Sequence, residues 1–176
     1  MSGSVMFAQK AEVNTKQSSV EWHGKKIGSK HVGEIQLKSG YFEIQDDEIV
    51  AGNFVVDMTT ITNTDLKNEN YNQKLVGHLK SDDFFGVEKF PSATFQVTQS
   101  SKFSNGKATL SGDITIKGKT ESISFEVERT GKEYSAKMNI DRSKFDVRYD
   151  SNSFFDNLGD KAINDIFTLD IKLVII

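Results

Sequence analysis

Residues 108–140 read ATLSGDITIKGKTESISFEVERTGKEYSAKMNI, and their pattern decides the fold class. Ala108, Leu110, Gly112, Ile114 and Ile116 alternate with polar residues; Ile123, Phe125 and Val127 then do the same, and so do Tyr134, Ala136, Met138 and Ile140. A repeat of two belongs to a strand, whose side chains point alternately to opposite faces. A helix would bring apolar residues back every three or four positions. Turn residues separate the three runs, at Gly118-Lys119 and at Thr130-Gly131-Lys132. Links this short join antiparallel neighbours, because a parallel partner needs a crossover of about a dozen residues or more.

The same alternation recurs on both sides of this stretch. His31, Gly33, Ile35 and Leu37 alternate with Val32, Glu34, Gln36 and Lys38; Gly52, Phe54, Val56 and Met58 form a second run, and Ala93, Phe95 and Val97 a third. Phe167, Leu169, Ile171, Leu173 and Ile175 make the last. Further turns are expected at Ser39-Gly40, Gln45-Asp46-Asp47 and Asn105-Gly106. Two stretches break the pattern. From Asn63 to Pro91, Leu66, Tyr71, Leu75, Val76 and Leu79 are spaced irregularly, which reads as a loop carrying a short helix, with Ser81 as a helix N-cap. Ser143 to Lys161, rich in Asp, Asn and Ser and holding Phe154 and Phe155, reads as a long loop with one helical turn.

Eight or nine strands joined mainly by hairpins make a sandwich or a barrel, and alternation alone does not separate them. The inward phase carries large apolar residues together with Gly33, Gly52 and Gly112. Side chains missing from an inner face suit tight curvature or room for a ligand. A barrel of about eight strands encloses its own side chains or one small molecule. The expectation is therefore an all-β chain: one antiparallel β-barrel of about eight strands, with short helical segments in two long loops.

Composition narrows the function. The 176 residues carry 22 basic and 25 acidic side chains, a net charge of −3 without long single-sign blocks, which gives no footprint for nucleic acid. Without Cys there is no disulfide framework and no thiolate centre. No stretch approaches the roughly 18 apolar residues of a membrane span. Residues 1–17 are expected to form a disordered N-terminus and residues 18–176 the barrel domain. Within the former, Ser4-Val5-Met6-Phe7-Ala8-Gln9 reads as the trimmed end of a secretory signal behind an added Met1-Ser2-Gly3; the alternative is an ordinary chain terminus.

The segment Gly77-His78-Leu79-Lys80-Ser81-Asp82-Asp83-Phe84-Phe85, followed by Lys89-Phe90-Pro91-Ser92-Ala93-Thr94-Phe95, strongly resembles the signature of the YceI-like proteins. Gly24 through Gly33, Gly52-Asn53-Phe54-Val55-Val56-Asp57-Met58, Gly112-Asp113-Ile114-Thr115-Ile116-Lys117-Gly118 and Ile140-Asp141-Arg142-Ser143-Lys144-Phe145 fall in that family's order, so the resemblance runs from about Val20 to the end. Trp22-His23-Gly24-Lys25-Lys26 departs from the better-known isoprenoid-binding branch. The resemblance implies a lipocalin-like extended barrel that stores or carries a polyisoprenoid, an isoprenoid quinone or another lipid, in exported bacterial proteins of the periplasm or medium.

The residues support that chemistry, since an apolar chain needs only a water-excluding tunnel and a polar mouth. Inward-phase candidates for the ligand are Ile35, Leu37, Phe42, Ile44, Phe54, Val56, Met58, Phe95, Leu110, Ile114, Phe125, Met138 and Ile140, with Phe84, Phe85 and Phe90 as a lid; the alternative is that they pack as core. His31 and Arg142, at the ends of inward rows, are candidates for the head group. A satisfied core histidine and a salt bridge of Arg142 to Asp146 or Asp141 are the alternatives. No catalytic motif is present: there is no Gly-x-Ser-x-Gly, no His-Glu-x-x-His and no phosphate-binding Gly-x-x-x-x-Gly-Lys. His31 and Glu34, three apart on a strand, face opposite ways, and His23, His31 and His78 could meet only through tertiary proximity. The expectation is a binding protein with no catalytic residue, no metal and no cofactor beyond a bound isoprenoid or lipid. A homodimer stays open. An accessory or stress-response interaction domain with a self-filled core is the second reading, and an enzyme using His31 or His78 as base on an apolar substrate is the third.

Overall fold

Alternation becomes architecture in β6 (Lys107–Ile116), β7 (Lys119–Thr130) and β8 (Glu133–Asp141), which pair in sequence order as antiparallel neighbours. A computed structural model describes residues 6–176. Before these strands come β2 (Ser19–Lys26), β3 (Ser29–Gln45), β4 (Glu48–Asp57) and β5 (Ser92–Ser100), and after them β9 (Ile166–Val174). Each strand pairs with the next, and β9 returns to β2, so the eight strands close on themselves as an antiparallel up-and-down barrel. The seam between β7 and β8 is the least complete, with pairing only from Val127–Thr130 to Glu133–Ala136. The one α-helix among the described residues, α1 (Glu69–Lys80), lies between β4 and β5.

A further strand, β1 (Gln9–Glu12), pairs with Tyr41–Ile44 of β3; Val13, 6% exposed, bridges to Ile175 beyond β9. Gln9 to Gln17 are thus built into the barrel or its turns, where a disordered terminus was expected; the alternating stretch is too short to register as a strand by itself. Residues 1–5 lie outside the described residues, and with them Met1-Ser2-Gly3 and the first two residues, Ser4 and Val5, of the stretch read as signal-derived.

Ser39-Gly40 is no turn. It lies inside β3, one continuous strand of 17 residues with a register shift between Leu37 and Ser39. The extra residue of a β-bulge moves the inward phase from Gly33, Ile35 and Leu37 to Gly40, Phe42 and Ile44. Three of the hairpin turns have paired left-handed residues: Asp46 and Asp47 (φ 51° and 61°), Asn105 and Gly106 (53° and 77°), Lys117 and Gly118 (51° and 75°). Two consecutive positive φ values make a turn whose twist matches that of the flanking strands. The β6–β7 turn sits one residue earlier than expected.

All the long connections fall at one end of the barrel: the 58–91 segment with α1, and residues 142–165. The opposite end has only short links, and inside it Phe42, Phe54, Tyr134 and Phe103 interlock, with Phe42 centroids 4.9 Å from Phe54 and 5.1 Å from Tyr134. Arg129 seals that end, its guanidinium 3.9 Å above the Phe103 ring and 2.6 Å from Asp47.

Candidate functional site

Between the aromatic plug and the loop-rich end lies a cavity of about 470 Å³, to which every one of the eight barrel strands contributes side chains. Ile35, Leu37, Phe42, Phe54, Val56, Met58, Phe95, Leu110, Ile114, Phe125 and Met138 line it, as their phase requires. Phe84 and Phe85 line it from the segment after α1. Several of these, such as Leu37, Val56, Phe95 and Phe125, are only partly buried although they point inward, because the surface they leave uncovered faces the cavity.

Three candidates lie elsewhere. Ile140, 2% exposed, is enclosed by core packing; Ile44 packs in the cluster around Phe42 beside β1; Phe90 lies against Gly86 and Gly118 at the β6–β7 turn. The inward glycines also make no room. A side chain at Gly112 would strike the Phe95 ring and the Gln96 carbonyl oxygen, and one at Gly33 the Trp22 indole and the Thr62 carbonyl oxygen. Each glycine lets an aromatic ring lie flat on the sheet, so the free space comes from elsewhere along the strands.

Part of the lining escaped the sequence reading. Phe167, Leu169, Ile171 and Leu173 of β9 face the cavity, and their period-2 row is the signal that would have placed them there. Val20 and Trp22 of β2 do likewise, though that strand's polar, glycine-containing sequence hides the alternation. Leu75 and Leu79, four apart on α1, turn one helix face onto the cavity; Leu79 is 7% exposed, whereas Tyr71 on the same helix is 62% exposed. Asn68, not Ser81, caps the helix N-terminus by accepting from the Tyr71 N–H at 3.2 Å, and Ser81 stands at the C-terminus with its hydroxyl donating to the His78 carbonyl oxygen at 2.6 Å.

Polar residues gather at the loop-rich end. Lys25, Lys26, Ser29, His31, His78, Tyr149, Asp150, Lys161 and Asn164 border the cavity there, around an aromatic group in which His78 meets Tyr149 edge-on at 4.3 Å and Phe84 at 5.1 Å. His31 donates from Nδ1 to the Asp65 carboxylate at 2.9 Å. Asp65 also accepts from the Val32 N–H at 2.8 Å, and Asn63 donates to the Val32 carbonyl oxygen at 2.9 Å, so the 61–66 segment is strapped to β3. Burial by itself would raise the Asp65 pKa, but the Val32, His31 and Asn63 hydrogen bonds outweigh it and hold the carboxyl at about 2.

Arg142 borders the cavity too, but its hydrogen bonds run into the protein. Its side chain is 3% exposed and donates to the backbone oxygens of Asn164 (3.2 Å), Val147 (2.9 Å) and Ile163 (2.9 Å). The nearest carboxylate is that of Asp165, at 3.8 Å; Asp146 pairs instead with Arg148, and Asp141 caps Ser143. Burial lowers the Arg142 pKa against the pull of Asp165, Asp150 and Asp141. The guanidinium therefore braces the 142–165 loop, with its Cζ 5.4 Å from the centroid of the Phe84 ring.

Residues 12–175 match the YceI-like domain, over nearly the whole chain. The chain belongs to the YceI-like family. A UPF0312 protein of Vibrio parahaemolyticus is 31% identical over 101 residues, which is 56% of this chain and 50% of that one. The chain thus spans about half the length of the curated relatives it matches first. Among solved structures, BcnA of Burkholderia cenocepacia superposes with a TM-score of 0.67 at 21% identity, covering 92% of this chain and 98% of its own. A polyisoprenoid-binding domain from Saccharophagus degradans, implicated in plant cell wall breakdown, superposes with a TM-score of 0.63 at 12% identity, covering 94% and 97%. At those identities the likeness establishes the shared YceI-like barrel.

Proposed function

We propose that this YceI-like barrel holds one apolar or amphiphilic chain of the polyisoprenoid, isoprenoid-quinone or lipid class in its cavity, and stores or carries it outside the cytoplasm of a bacterial cell. The observation that carries this reading is the cavity itself: about 470 Å³ of inward-facing space, walled by apolar side chains from all eight barrel strands and bordered by charged ones at the loop-rich end. That volume lies within the roughly 300–1,000 Å³ of small-molecule sites. Withdrawing a flexible hydrocarbon from water is favourable at about 25 cal/mol per Å² of apolar surface, and it asks for no reactive group. Two of the titratable residues at the loop-rich end are already engaged with the protein: His31 with Asp65, and Arg142 with three carbonyl oxygens. This supports binding over catalysis. The family and the polyisoprenoid-binding Saccharophagus domain support the ligand class.

Native mass spectrometry of the protein purified from its bacterial source tests the proposal. The expected result is a mass excess that gentle activation removes and that an organic extract returns as a lipid or prenyl compound. A protein that shows its bare mass and does not take up added lipid overturns it and favours the self-filled interaction domain.

A further inference from the structure

On the outside of the barrel, β2 and β9 meet along the seam that joins the first barrel strand to the last. There Glu21 stands directly opposite Asp170 on one side and Glu34 of β3 on the other, so three carboxylates lie in one row across three strands. Like charges at directly opposed positions destabilise a sheet, and such a row calls for a cation. Lys137, opposite Asp170, supplies part of one: its Nζ lies 3.6 Å from Asp170 Oδ1. The other Asp170 oxygen, Oδ2, faces inward along the row. His23, two residues after Glu21 and on the same face, brings Nε2 to 2.8 Å from Glu21 Oε1 and 3.0 Å from Asp170 Oδ2. This nitrogen is shielded from solvent and, despite those short distances, has no aligned hydrogen bond. The three donor atoms, one nitrogen and two carboxylate oxygens, all lie within 4.8 Å of one another.

We propose that Glu21, His23 and Asp170 form a binding site for one first-row divalent transition ion of the Zn²⁺ type, clasping β2 to β9 where the barrel closes. The distances suit this. Ligands about 2.1 Å from a metal stand about 3.0 Å apart at right angles and about 3.4 Å apart at the tetrahedral angle. The 2.8 and 3.0 Å separations lie near the right-angle value, so a small outward shift of the carboxylates would admit an ion between them and the imidazole. An imidazole with two carboxylates selects Zn²⁺ and its neighbours over Mg²⁺ and Ca²⁺, which prefer all-oxygen sets. Three protein ligands leave the remaining positions to water. The ion would neutralise the row Glu34, Glu21, Asp170 and give the His23 nitrogen the partner it lacks.

The test is titration of the chelator-treated protein with Zn²⁺ by calorimetry and with Co²⁺ by visible absorption, followed by thermal unfolding with and without Zn²⁺. One equivalent of each ion should bind, the midpoint of unfolding should rise, and millimolar Mg²⁺ or Ca²⁺ should not compete. His23→Gln and Asp170→Asn should each lose the bound equivalent and the rise while keeping the circular dichroism of the parent. Glu126→Gln, an exposed carboxylate paired with Lys107, should retain both. A parent that binds no Zn²⁺, or variants that bind as the parent does, would overturn the proposal.

Discussion

Arg142 shows how a side chain can satisfy a sequence pattern and yet serve another purpose. It ends the inward row Tyr134, Ala136, Met138 and Ile140 and does border the cavity, but three backbone oxygens from two distant parts of the 142–165 loop claim its guanidinium. Removing it strands those acceptors in a largely buried place, at a cost of about 1–3 kcal/mol for a polar group left unpaired. Arg142→Ala should therefore lower stability by an amount of that order in urea unfolding, and Arg142→Lys should recover only part, because an ammonium cannot span the same fork of acceptors. If Arg142→Ala unfolds with the parent's midpoint and loses only ligand affinity, the guanidinium is a head-group contact after all. Individual residues were legible where phase alone decides the facing direction: Ile35, Phe54, Phe95 and Phe125 all point where alternation put them. The glycines were not, because whether Gly112 leaves a hole depends on the Phe95 ring from the neighbouring strand, and no local pattern carries that information.

Strand periodicity was legible along β6, β7 and β8, where residues alternate without interruption, and it misled at β3. A bulge and a turn both shift the phase of an alternating run, and Ser39-Gly40 has the composition of a turn, so only the pairing with β4 separates them. The helix was harder still. Its apolar face rests on few residues, chiefly Leu75 and Leu79, too short a stripe to stand out among polar neighbours. What positions it is the strap before it, Asn63 and Asp65 bound to β3, and that strap has a pH signature. The Asp65 carboxyl titrates at about 2 in the folded protein against an ordinary 3.8, so its contribution is complete above about pH 4 and disappears as the pH falls through 2. Asp65→Asn should be less stable than the parent by roughly 1 kcal/mol at neutral pH, and the gap should close between pH 4 and 2. Urea midpoints for the two proteins across that range check this; a gap independent of pH would show that the charge of Asp65 contributes nothing.

Barrel closure joins strands at opposite ends of the chain, and it determines both surfaces of the molecule. Inside, the eight inward phases converge on a space plugged by Phe42, Phe54 and Tyr134 at one end and bordered by polar side chains at the other. Outside, closure brings His23 of β2 against Asp170 of β9, an approach that no spacing within the chain foretells. The fold class could be read from alternation and short turns because those are local; the cavity's true boundary could not, since it depends on which rings fold over which glycines. Ala136 offers the most direct test of the cavity as the binding site. It faces inward from β8 between Val127 and Ile171, lines the cavity, and is small enough that Ala136→Phe fills space at a strain cost of about 1–3 kcal/mol. Thr115→Leu, on the outer face where Thr115 bonds Thr120 at 2.7 Å, is the control. The measurement is displacement of a fluorescent lipid probe from each variant, with circular dichroism confirming the fold: binding at least about tenfold weaker in Ala136→Phe and unchanged in Thr115→Leu is predicted, while a folded Ala136→Phe that binds as the parent does would contradict the barrel interior as the ligand's place.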